Sequence, residues 1–150
     1  KSYKKIAKNI IKYSKEDKMN TTFDLKEAVR DVTNPRYLNK TLSRVFQSIR
    51  IKINEEIENL NSFLISALEH IKKGGRLVII TFHSLEDTIV KHFFKKNEIS
   101  CVCPNSFPIC ICNTKARLKI INRKGILPSE EEIKLNSRSR SAKLRIAECL

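Results

Sequence analysis

Glycine is nearly absent: Gly74, Gly75 and Gly125 are the only three in 150 residues. None stands in a strand-to-helix turn, so no glycine-rich cradle for a dinucleotide or an adenosine-bearing ligand is written into the chain. No run of about eighteen apolar residues occurs, which excludes a hydropathy-defined membrane span. The basic start Lys1-Ser2-Tyr3-Lys4-Lys5 leads into a charge-interrupted amphipathic stretch and not into an apolar signal segment. Cysteine is scarce and odd in number, with four of the five between Cys101 and Cys112. That clustering excludes the spread of a secreted disulfide framework and fits a reducing compartment. These absences predict a soluble cytoplasmic protein, or an organellar one if the organism is a eukaryote, with no membrane partner. Acidic residues are in the minority, 16 against 30 Lys and Arg, for a net charge of +14. Such an excess favours a polyanion, nucleic acid first; the alternative is a compositional bias that puts lysine on every solvated face.

What is present is helical first and mixed afterwards. Tyr3, Ile6, Ala7, Ile10 and Ile11 recur at three- and four-residue steps and predict an amphipathic helix with lysines outward. Thr21 and Asp24 offer a capping box for a second, short helix ended by Asn34-Pro35. From Thr41 to Lys72 apolar residues keep helical spacing, which predicts one long helix or two joined near Glu58 to Asn61. Gly74-Gly75 supplies a left-handed stop. The run Leu77-Val78-Ile79-Ile80 then predicts a strand buried on both faces of a parallel sheet. Ser84 and Asp87, three residues apart, predict a capping box opening a helix that carries Leu85, Ile89, Val90, Phe93 and Phe94. Asn97 to Ala116 has no period and reads as an irregular loop, Leu118 to Ile121 as a short strand. Pro128-Ser129 followed by three glutamates starts a short helix. The alternation Ala142 to Ala147 predicts a final strand with one buried face.

The segment Gly74-Gly75-Arg76-Leu77-Val78-Ile79-Ile80-Thr81-Phe82-His83-Ser84-Leu85-Glu86-Asp87 resembles the signature of the RsmH/MraW family of S-adenosylmethionine-dependent small-subunit ribosomal RNA (cytosine-N4) methyltransferases. Two further blocks resemble the same family: Arg44 to Ile57, and the closing Ser137-Arg138-Ser139-Arg140-Ser141-Ala142-Lys143-Leu144-Arg145-Ile146-Ala147. The likeness runs from about Tyr3 to the end. It departs at Lys40-Thr41-Leu42-Ser43-Arg44, where the family has a His-Pro-Ala-Thr-Arg run, and at Asn136-Ser137, where Asn-Pro is usual. The resemblance implies an α/β fold: the C-terminal part of a Rossmann-like methyltransferase, residues 61–150, with a helical, RNA-recognising insert at residues 1–60. It implies S-adenosylmethionine as cofactor, bound by an N-terminal half upstream of Lys1, small-subunit ribosomal RNA as partner, and an inactive piece when this part stands alone.

Ligands in open α/β sheets sit beyond the carboxyl ends of the strands, which makes His83 and Ser84, beside Phe82, candidates for a pocket wall. The bland alternative assigns Ser84 to the helix cap and His83 to the turn. No catalytic residue is assigned with this set, and no cofactor-binding one. Arg44, Arg50, Lys52, Arg138, Arg140, Lys143 and Arg145 are candidates for phosphate contacts, against a solvated surface. Cys101, Cys103, Cys110 and Cys112 are candidate zinc ligands, although their one-residue spacing differs from the usual zinc knuckle and the resembled family carries similar pairs with no zinc implied. Two other classes therefore stand beside the enzyme: a basic RNA-binding module without catalysis, and a small zinc-stabilised interaction domain. The apolar strand, short of neighbours, also predicts a homodimer through an exposed sheet edge.

Overall fold

The stripe of apolar residues at the start of the chain winds into α1 (Ser2–Lys15) and turns Ile6 inward, while Tyr3 and Ile11 stay exposed. Thr21 caps α2 (Thr22–Arg30) in the predicted box: its Oγ1 accepts from Asp24 N at 3.2 Å, and Asp24 Oδ2 accepts from Thr21 N at 2.7 Å. Ala28 and Val29 on α2 are fully buried. Asn9 Nδ2 donates to Ala28 O at 2.7 Å and the Tyr13 hydroxyl to Asp31 at 2.5 Å, so polar bonds join α1 to α2 alongside a small apolar contact. Asn34 caps a 3-10 turn (Pro35–Tyr37) that delivers the chain into α3 (Leu38–Ile53). The computed structural model describes residues 2–101, 103, 112 and 114–150. They form two compact units, Lys1–Glu56 and Ile57–Leu150.

The long apolar stripe does break, but not at Glu58 to Asn61. It breaks at Asn54-Glu55, where Asn54 ends α3 with its N–H on the Arg50 carbonyl and Glu55 takes a left-handed φ of 50°. Arg50 Nε bonds Glu56 Oε1 at 2.8 Å across the joint. Ile53 and Ile57 stand four apart, so the apolar period runs straight through the break and does not mark it.

Helix α4 (Glu56–His70) leads the second unit and buries Leu64 and Leu68. The glycine pair was expected to stop this helix, but α4 already ends at His70; Gly74, at φ 79°, instead serves a tight turn in which Gly75 N donates to Lys72 O at 2.8 Å, and its own N–H donates to Cys149 O at 2.8 Å. At Gly75 a Cβ would lie 2.7 Å from Ile71 Cγ1 and 2.8 Å from Lys72 O, so packing excludes a side chain there. The remaining elements are β1 (Arg76–Thr81), α5 (Ser84–Glu98), β2 (Leu118–Ile120), α6 (Glu130–Leu135), a 3-10 turn (Ser137–Ser141) and β3 (Lys143–Cys149). The sheet order is β1-β3-β2, with both pairs antiparallel. One apolar cluster joins Leu64 and Leu68 to Leu77, Ile79, Val90, Phe94, Leu118 and Ala147.

Two expectations about this sheet are corrected. Strand β1 pairs antiparallel with β3, and it is buried on one face only: Leu77, Ile79 and Thr81 point inward, whereas Val78 and Ile80 are about half exposed. A run of apolar residues meets the core on alternate positions whatever occupies the other face. Strand β3 also buries the face opposite to the one its apolar residues suggest. Arg145 and Ala147 point inward, 5% and 0% exposed, and Leu144 and Ile146 lie on the other face with Val78 and Ile80.

Asp87 explains that choice. It projects from the first turn of α5 toward β3, where Arg145 Nε reaches its Oδ1 at 2.6 Å and Nη2 its Oδ2 at 3.1 Å. Arg145 Nη1 also donates to Arg123 O at 3.2 Å, and Lys143 Nζ lies 3.3 Å from Asp87 Oδ2. The bidentate bond to Arg145 is the main reason the Asp87 carboxyl titrates below its ordinary value; burial opposes it, and Lys143 adds to the lowering. A depressed native pKa stabilises the fold at pH values above the unfolded carboxylate pKa of about 4, and that contribution is lost as pH falls through the native value. Removing the acid while leaving Arg145 buried should cost about 3 kcal/mol. Urea unfolding of Asp87→Ala at neutral pH is expected to show that loss, and the gap from the unmodified chain is expected to close on acidification. A gap that stays constant down to strongly acid pH would mean that Asp87 does not act through its charge.

Candidate functional site

The turn after β1 is built by its own side chains. Glu86 N donates to His83 Nδ1 at 3.3 Å, and the Glu86 carboxylate accepts from the N–H groups of Phe82 at 2.8 Å and His83 at 3.3 Å. His83 is therefore the N-cap of α5, one residue earlier than the Ser84–Asp87 box predicted. Asp87 is unavailable as a capping partner because Arg145 and Lys143 hold it. An imidazole nitrogen replaces the usual hydroxyl or carboxylate acceptor, which is why the sequence pattern pointed to Ser84. The acceptor role of Nδ1 leaves the ring proton of a neutral His83 on Nε2. That atom is buried, makes no hydrogen bond and lies 3.2 Å from Glu86 Oε1. Ser84 is exposed, its carbonyl accepting from Thr88 Oγ1 at 2.7 Å.

Of the three residues at the end of β1, Phe82 is the one that opens onto a cavity. A volume of about 590 Å³ is lined by Ile80, Phe82, Ile126, Leu127, Pro128 and Leu144 on its apolar side, with Glu132, Asn136, Arg138 and Ser139 among its polar lining. Phe82 is 54% exposed and Leu127 66%, so the apolar wall is open to a ligand. Ile126 reaches it by an isolated antiparallel bridge to Leu144, with backbone bonds of 2.9 Å in each direction. Asn136 Oδ1 caps the following 3-10 turn by accepting from Arg138 N at 3.1 Å, which fixes the backbone from which Arg138 projects. Sequence reasoning missed Ile126, Leu127, Pro128 and Asn136 as site residues. Only the Asn136 cap, a polar residue two before an arginine, offered a local signal.

The basic candidates separate into three groups. Arg138 and Arg140 are exposed on the 3-10 turn before β3. Arg145 is buried in its bonds to Asp87 and is corrected from a phosphate candidate to a structural partner of α5, while Lys143 shares that carboxylate and stays partly exposed. In the first unit Arg44 and Lys52 are exposed on α3, and Arg44 lines a cavity of about 350 Å³ with Tyr37 and Lys40. Arg50 is exposed too, but bonds Glu56. Cys101, Cys103 and Cys112 gather their Sγ atoms together, and Cys110 lies outside the described residues.

None of the three glycines stands, among the described residues, in a strand-to-helix turn of the kind that cradles a donor nucleoside. Gly74 and Gly75 sit between a helix and a strand, the reverse of the order such a turn needs, and Ile71 and Lys72 fill the space at Gly75. At Gly125 a Cβ would lie 3.1 Å from the Lys143 side chain. The glycines among the described residues thus build no turn of that kind. No helix among them is long and apolar enough to cross a membrane.

Comparison with known proteins gives these features a setting. The model of the MraW methylase family matches residues 1–150. The chain is 48% identical over 147 residues to the ribosomal RNA small subunit methyltransferase H of Carboxydothermus hydrogenoformans, covering 97% of this chain and 47% of that protein. It is 44% identical over 146 residues to the protein of the same name from Caldicellulosiruptor saccharolyticus, covering 97% and 48%. For the Clostridium botulinum protein of that name the identity is 46% over 145 residues, covering 95% and 47%. The chain spans about half the length of these curated relatives. Matched along its whole length by one family and close to half identical to each of these relatives, the chain belongs to the MraW methylase family.

Proposed function

We propose that the chain is the substrate-side, C-terminal part of an S-adenosylmethionine-dependent methyltransferase that modifies the N4 amine of a cytosine in small-subunit ribosomal RNA. The observation that carries this reading is the cavity at the end of β1, where the exposed Phe82 ring and the apolar Ile126, Leu127 and Pro128 share one volume with Arg138. An unstacked base can lie on an aromatic ring while a flanking phosphate meets the guanidinium, the usual mode of single-stranded RNA recognition. Transfer to an exocyclic amine asks the protein mainly to hold the base in line with the donor methyl group, and a rigid wall at a strand end provides that. The names of the relatives, ribosomal RNA small subunit methyltransferases, support the substrate and the reaction.

On this reading the donor is bound by a part of the protein outside the chain. Strands β1 and β2 both run antiparallel to β3, so they run parallel to each other, with α5 in the connection between them. That is compatible with a Rossmann-like sheet that is parallel apart from one reversed strand. Strand β1 would then accept further parallel neighbours on its unpaired side. The helical unit would act as the insert that grips RNA, with Arg44 and Lys52 as phosphate contacts. Without further strands, the edge of β1 and the apolar patch of Val78, Ile80, Leu144 and Ile146 beside it would draw two copies together.

Three experiments test the proposal. Changing Arg138 and Arg140 to alanine should weaken ribosomal RNA binding and lower the slope of log affinity against log salt by roughly one unit per arginine. Phe82→Ala should weaken binding with the slope unchanged, because stacking involves no counterion. Filter binding at four salt concentrations separates the two; an unaltered slope in the double arginine variant returns those residues to plain solvated surface. Calorimetric titration of Lys1–Leu150 with S-adenosylmethionine should detect no binding in the micromolar range, and a micromolar site would show the donor to be held within this chain. Light scattering at rising concentration should find a dimer, whereas a monomer at every concentration would mean that the β1 edge is already protected.

A further inference from the structure

Outside the cavity and the basic surface, the described residues bring three thiols together. The Sγ atoms of Cys101, Cys103 and Cys112 lie within 4.8 Å of one another, and Cys112 Sγ is 3.9 Å from Cys101 Sγ. A disulfide needs a separation of about 2.05 Å, so this spacing is far too long for one. Two thiolates on a tetrahedral zinc, each about 2.3 Å from the metal, stand about 3.8 Å apart. The Cys101–Cys112 spacing already has that value, and the third sulfur is within one ångström of it.

The thiols also come from two separate arms of the chain. Cys101 and Cys103 follow the end of α5, whereas Cys112 precedes β2. At the base of these arms Arg117 N donates to Asn97 O at 2.8 Å, closing a span of 117 minus 97, or 20, residues. That base is fastened to the core: Asn97 Nδ2 donates to Phe93 O at 2.9 Å, Arg117 Nη2 to Leu68 O at 3.2 Å, and Leu150 N to Arg117 O at 3.0 Å. A metal joining Cys101 to Cys112 would close a shorter span of 112 minus 101, or 11, residues inside this one, and a cross-link present only in the folded chain removes entropy from the unfolded one. Three sulfur donors select a soft ion, and zinc suits a tetrahedral set without imposing redox chemistry.

We propose that Cys101, Cys103 and Cys112 form a three-thiolate zinc site that clasps the segment between α5 and β2, its fourth position taken by solvent or a further donor. Cys110 lies outside the described residues, and the site is argued from the other three. The proposal does not depend on RNA binding or on methyl transfer.

The test uses the whole chain, purified under reducing conditions without chelator. Elemental analysis should find about one zinc per chain. Cys101→Ser and Cys112→Ser should each reduce that content to roughly a tenth or less, whereas Cys149→Ser, on β3 and 3.9 Å from Ile71 O, should keep it. Because a serine variant can lose metal by failing to fold, the unmodified apo chain should also be titrated with cobalt. One equivalent should bring up thiolate-to-cobalt charge transfer and the intense visible bands of tetrahedral geometry. A reduced chain that takes up neither ion overturns the site, and so does equal zinc content in the Cys101, Cys112 and Cys149 variants.

Discussion

The bidentate bond between Asp87 and Arg145 decides which way the sheet faces. A strand shifted by one residue turns every side chain to the opposite surface, so something must set the register and face of β3. Leu144 and Ile146 alone would favour turning inward. The opposite face wins because Asp87, fixed on the first turn of α5, offers Arg145 two carboxylate oxygens, and Arg123 O takes a third guanidinium N–H. Burying an arginine is costly without full pairing, and here the pairing is nearly complete. Ala147, fully buried, then fits the space where β3 passes under the core cluster, and Leu118 closes it from β2.

The candidate site follows from that choice. With Arg145 inside, Leu144 is turned outward beside Ile80 and becomes part of the cavity wall. The backbone of β3 is then held on both sides where β2 has ended. Asn122 accepts from Ile146 N at 2.6 Å through Oδ1 and donates to Leu144 O at 2.9 Å, doing with a side chain what a strand would do with its backbone. Ile126 bridges to Leu144 just beyond. The apolar half of the cavity therefore rests on a strand whose backbone is bonded on both sides.

Element types were legible wherever a periodic pattern coincided with a local signal. Thr21 with Asp24 forms the capping box that its spacing announces, and Ser129 caps the short helix that its three following glutamates announce. What escaped depends on partners distant in sequence. Ser84 and Asp87 have the spacing of a box, yet Asp87 is held by a residue 58 positions away and the cap passes to His83 and Glu86. Arg145 looked like a surface cation because its strand alternates, and only the position of α5 shows that the basic face is the inner one. The joint at Asn54-Glu55 was hidden for a different reason: a non-glycine residue in the left-handed region leaves no mark on an apolar repeat.

The run Leu77 to Ile80 carries a constraint that the described residues satisfy only by half. Its inward members, Leu77 and Ile79, belong to the core, while Val78 and Ile80 face outward beside Ile146 and Leu144 in direct antiparallel register. Four branched aliphatic residues in two adjacent cross-strand pairs make a contiguous apolar patch, not a scatter of single exposed side chains, and such a patch calls for cover. The inner face of the same strands is shielded by α4 and α5. A continuous apolar run led to the expectation of burial on both faces, and the structure buries one, with Leu77 and Ile79 inward and Val78 and Ile80 about half exposed. The elements described here cover the inner face alone, so an apolar run reads the same in sequence whether its second face is covered or open.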